Sequence, residues 1–118
     1  MVDVKQLLIS TLEAFQYPIY VQGSLSADDS YPDSFFTFWN NDTTDSEFYD
    51  NAETQVIWDF DLNFYSNDPV LVNTVLLQAK QDLKAAGFIP DGSGYDVMSD
   101  EPTHTGRGMN ILYIQKVR

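Results

Sequence analysis

Three features of the sequence predict an α+β fold. Two segments space their apolar residues by three and four. One long segment alternates apolar and polar residues strictly. Short aromatic and β-branched runs lie between turn-rich stretches. Residues 2–15 read as the first helix, with Val4, Leu7, Leu8, Leu12 and Phe15 on one face. Asp3 stands where a carboxylate caps the first turn. Tyr17-Pro18 ends the segment, because a residue before proline avoids the helical region. Residues 18–22 (PIYVQ) read as a short strand and 23–33 as a loop rich in Gly, Ser, Asp and Pro. In the next strand, 34–40, Phe36 and Phe38 share one face, and Phe35, Thr37 and Trp39 share the other.

Residues 41–52 are polar and acidic, and read as a loop or as the ends of a long hairpin. Residues 53–65 give the clearest strand. Val56, Trp58, Phe60, Leu62 and Phe64 alternate with Ile57, Asp59, Asp61, Asn63 and Tyr65, so one face is buried and one is wet. Asp68-Pro69 then starts a helix, with Asp68 as N-cap and Pro69 in the first turn. Its stripe is Val72, Val75, Leu76, Ala79 and Leu83. Gly87 is placed as the left-handed residue past its end, with Phe88 folding back. A strand is predicted to begin at 88–90, a turn at 91–94, a weak strand at 95–99, a loop or hairpin turn at 100–108 and a closing strand at 109–117. The expected architecture is a single domain, 1–118, with two helices on one face of a mostly antiparallel sheet of four to five strands. The expected order is α-β-β-β-α-β-β.

The chain has 118 residues, no cysteine, and 18 acids against 6 bases, for a formal charge of −12. The missing cysteine excludes disulfides, thiolate metal sites and a cysteine nucleophile. The acidity argues against contact with nucleic acid backbone or anionic membranes. The charge is uneven. Residues 6–79 hold 12 acids and no Lys or Arg, whereas residues 80–118 hold five of each sign. No apolar run approaches the length of a membrane span, and no export signal is read at the N-terminus, so a soluble protein made in a cytoplasm is expected.

Catalytic patterns are missing from the sequence. There is one histidine, His104, and no nucleophile elbow around any serine. Asp59 and Asp61 share a strand face about 7 Å apart by strand rise, a spacing that suits acid–base work but equally an exposed strand face. The acids at 28, 29 and 33, and at 42, 45 and 47, lack the spacing of a calcium loop. Gly92-Ser93-Gly94 and Gly106-Arg107-Gly108 precede no helix and make no phosphate loop. His104 and Arg107 suit a small anion or a partner's carboxylate, or simply a polar turn. The tyrosines at 17, 20, 31, 49 and 65 are read as exposed, with protein contact or plain packing favoured over bases or sugars. No enzyme activity, cofactor or metal is expected.

The helix opening Asn67-Asp68-Pro69, its end at Leu83 and Gly87-Phe88, the run Thr103-His104-Thr105-Gly106-Arg107-Gly108 and the apolar strand after it form a recognisable pattern. With the N-terminal helix and Tyr17-Pro18, the chain resembles the small tail-completion, tail-terminator or head–tail joining proteins of long-tailed phages and prophages. The resemblance covers most of the chain and carries no catalytic signature. It implies a virion structural protein, assembled in a bacterial host's cytoplasm. It further implies a homo-oligomeric ring, six-membered in the form it suggests, that contacts other tail or head-connector proteins. The candidate subunit or partner contacts are Asp42, Asp45, Glu47, Phe48, Tyr49 and Asp50 in the acidic segment, with His104 and Arg107. In such a ring, carboxylates around a lumen repel passing DNA. The competing reading is an acidic binding module, such as a DNA mimic that occupies a basic groove.

Overall fold

The computed structural model describes residues 3–21, 32–49, 52–99 and 102–116, with side chains except at 44–49 and 52–54. Helix α1 (Val4–Leu12) is capped by Asp3, whose carboxylate accepts from the Gln6 amide at 3.1 Å. A short 3-10 turn, Glu13–Phe15, follows. The helix therefore stops before Tyr17-Pro18, and Gln16 turns the chain with a left-handed φ of 63°. Strands β1 (Ile19–Val21), β2 (Ser34–Tyr49) and β3 (Ala52–Ser66) precede helix α2 (Pro69–Ala85), and strands β4 (Ile89–Val97) and β5 (Thr105–Lys116) complete the domain.

The five strands form one mixed sheet in the order β1-β2-β3-β5-β4. Chain order and sheet order thus differ, because β5 inserts between β3 and β4. The β1–β2 pair is parallel and the other three pairs are antiparallel. A parallel pair needs a connection of about a dozen residues or more, and the segment between these two strands supplies it.

The core lies between the helices and one sheet face. Val4, Leu8 and Leu12 of α1 and Val75, Leu76, Ala79 and Leu83 of α2 pack with Phe36, Phe38, Phe60, Leu62, Phe64, Met109 and Ile111. Each large apolar side chain removed from water there contributes about 1.5–3 kcal/mol. The α2 caps match the reading from sequence. Asp68 accepts from the Val70 amide at 3.0 Å. At the other end Gly87, with φ 105°, donates to the Lys84 carbonyl, and Phe88 donates to that of Leu83. This pair of bonds is a Schellman motif.

One open choice is decided and three expectations are corrected. Of the two readings of the acidic segment, the long hairpin holds: β2 runs to Tyr49 and β3 begins at Ala52, so most of it is the outer part of that hairpin. The turn at 91–94 is an irregularity inside β4, where the register shifts between Asp91 and Tyr95 and Gly92 and Gly94 take positive φ. Strand β5 starts at Thr105, so Gly106-Arg107-Gly108 is strand and not loop. Tyr17 is not an exposed aromatic: it packs on the core, its ring 5.4 Å from that of Phe64. Tyr65 likewise stacks on Phe35 at 5.2 Å. Tyr31 lies outside the described residues.

Candidate interaction surface

Two features stand out beyond the core: the β2–β3 hairpin and the sheet face that carries no helix among the described residues. The hairpin is built by a register that runs from Ser34↔Ser66 to Tyr49↔Ala52. At about 3.3 Å per residue, strands of this length extend roughly 50 Å. Strand β1 flanks β2 only at Phe36, Thr37 and Phe38. Strand β5 flanks β3 as far out as Gln55, which faces Lys116. Among the described residues, the outer hairpin therefore runs well past β1 on one side, while β5 accompanies it almost to its end on the other.

A bulge between Asn40 and Asp42 shifts the register midway along β2. The Asn40 side chain braces it: with its amide turned so that the oxygen accepts from Thr43 Oγ1, the nitrogen donates to the carbonyls of Asp42 (2.9 Å) and Asp59 (3.1 Å). The extra residue bends the arm and increases its twist. Asp42 is exposed, and its carboxylate accepts from the Thr43 amide at 2.8 Å. Asp45 pairs with Val56, Phe48 with Glu53 and Tyr49 with Ala52 in the hairpin backbone, and Glu47 lies between them. Asp50 is outside the described residues.

The helix-free face is organised by two glycines. Opposed strand residues share a face, so the pairings place Tyr65 beside Gly106 and Asn63 beside Gly108. A Cβ at Gly106 would stand 2.6 Å from the Tyr65 ring and 2.7 Å from Val97. A Cβ at Gly108 would stand 2.1 Å from the Asn63 side-chain oxygen. Glycine lets both side chains lie across β5. At one end of this face Tyr20, Phe35 and Tyr65 form an aromatic cluster, with Tyr20 edge-on to Phe35 at 5.9 Å. Further along, the Asn110 amide donates to Asp59, to Asp61 and to the Phe60 carbonyl. The two carboxylates are thus tied by one amide. Trp39 on the same face is 48% exposed. Partial burial, then the nearby Asp61 and Tyr65, raise the Tyr95 hydroxyl above its ordinary pKa.

His104 and Arg107 meet elsewhere, in a cleft of about 590 Å³ between the first turns of α2 and the end of β4. Pro69, Val72 and Asn73 line one wall, and Asp96, Val97 and Met98 the other. His104 is buried, and its Nε2 donates to the Pro32 carbonyl at 2.8 Å, while Thr103 Oγ1 lies 3.0 Å from Nδ1. A carbonyl only accepts, so Nε2 carries a hydrogen. Arg107 bonds Asp96 at 2.8 Å and the Gly94 carbonyl at 3.2 Å. The structure brings these two residues together but separates them from the hairpin acids. Their bonds fix the start of β2 and the end of β4 in place.

Sequence reasoning passed over the role of Gly106 and Gly108. Their two-residue spacing just before an apolar run was the available signal, because glycine inside a strand marks close approach by a neighbour. A scan against family models gives no match for the chain, and a search of curated proteins gives none either.

Proposed function

We propose that this protein is a structural subunit of a phage or prophage tail, a ring-forming tail terminator or head–tail joining protein. The observation that carries the reading is the β2–β3 hairpin, which projects beyond the helix-covered core and offers a surface to neighbours. The motif pattern from Asn67 to Gly108 supports it. So does the charge, since residues 6–79 hold no base and a ring lined by them would repel DNA moving through it. In this reading the partners are copies of the chain and other tail or head-connector proteins, and the site of action is the virion. No catalytic step, cofactor or metal is part of it.

Solution mass tests the proposal. A closed oligomer of defined size supports it. A chain that stays monomeric to millimolar concentration, and that instead captures a basic nucleic-acid-binding protein in a salt-sensitive 1:1 complex, is the DNA mimic and refutes it.

A further inference from the structure

We propose that the outer edge of β2, over residues 43–49, receives an extended, basic segment of another protein by strand addition. Among the described residues no strand pairs with β2 on this side beyond Phe38. An edge strand turns alternate N–H and C=O groups outward, a template for another chain. Of the devices that blunt such edges, residues 39–49 contain no proline and no lysine, β2 is 16 residues long, and its bulge between Asn40 and Asp42 lies before residues 43–49.

The occupant follows from charge. Asp45 and Glu47 lie on this stretch, Asp42 precedes it, and Glu53 follows on the paired strand. Two copies of the same edge laid antiparallel about Asp45 would oppose acid to acid, which destabilises a strand pair. The terminal strand at the far side of this sheet, β4, carries Asp91 and Asp96 and no base. A second copy is therefore a poor fit for the outer β2 edge and for β4. A segment that places Lys or Arg opposite these acids gains attraction as well as backbone bonds. Exposed Trp39, next along the strand, gives such a segment an apolar contact. This inference does not rest on the ring: a monomer presents the same edge, so peptide capture and oligomer mass succeed or fail separately.

The probe is a labelled peptide that alternates Lys and Val, compared with the same peptide N-methylated at alternate amides. Methylation keeps the charge and removes the strand-forming N–H groups. The proposal expects the parent peptide to bind the full chain about tenfold or more tightly than the methylated one. It also expects hydrogen-exchange protection to rise at residues 43–49, and binding to weaken in the folded Asp45→Asn, Glu47→Gln double variant. Equal binding of the two peptides, or protection confined to other residues, overturns it, as does unchanged binding in the double variant.

Discussion

The ring of Tyr65 lies across Gly106 on the neighbouring strand, so close that a Cβ at position 106 would fall 2.6 Å from it. Val97 closes the same space from the other side at 2.7 Å. Neither neighbour can yield without opening the aromatic cluster with Phe35 or the β4–β5 pairing. Gly106→Ala is expected to destabilise the fold by about 1–3 kcal/mol, the usual range for overpacking. Thermal unfolding measures it, and an unchanged midpoint would show that the Tyr65–Gly106 packing is not needed. Gly108→Ala should cost less, because the nearest obstacle there is the end of the Asn63 side chain, which can rotate away.

The apolar face of β3 is not uniform along its length. Phe60 is fully buried, whereas Trp58 is half-buried, stacked on Phe60 at 6.0 Å with its indole N–H donating to Gln115 Oε1. Phe60→Ala is expected to cost roughly 3–5 kcal/mol, and Trp58→Ala about half as much. Denaturant unfolding of the two variants gives the order. A larger loss at Trp58 would move the centre of the core toward the hairpin.

Asp68 caps α2 through the Val70 amide. Asp68→Ala should lower stability by about 1 kcal/mol, and Asp68→Asn or Asp68→Ser should recover most of it, since both side chains accept from an amide in the same place. Failure of both replacements to recover stability would point to the carboxylate charge rather than the cap.

Helix α2 was legible because its information is local. Its stripe, its N-cap and its Schellman end all lie within about 20 residues, and all five stripe residues are buried. The start of β5 was not, because Gly106-Arg107-Gly108 looks like a turn until Tyr65 and Asn63 are known to lie over it. Those partners are about 40 residues away in sequence. The outer hairpin hid for another reason. Residues 41–52 show no apolar–polar alternation, the pattern by which a half-buried strand is legible in a sequence. Of the candidate contact residues, Asp42, Asp45 and Glu47 were legible as lying between the second and third strands, and they fall in the hairpin those strands form. The cleft at His104 and Arg107 needed α2, which no local pattern links to them.

Neutralising the hairpin separates fold from assembly. Asp42→Asn, Asp45→Asn and Glu47→Gln together should leave the unfolding midpoint nearly unchanged, since surface substitutions of this kind usually lie within about 0.5 kcal/mol. The same variant should change self-association or partner capture. Lost folding with intact association would place these acids in the core rather than on an arm.

The mass of the protein in solution, by sedimentation equilibrium across a wide concentration range, tests the central proposal most directly. The ring reading predicts one closed species at a whole multiple of 13.4 kDa. A single 13.4 kDa species at every concentration would contradict it.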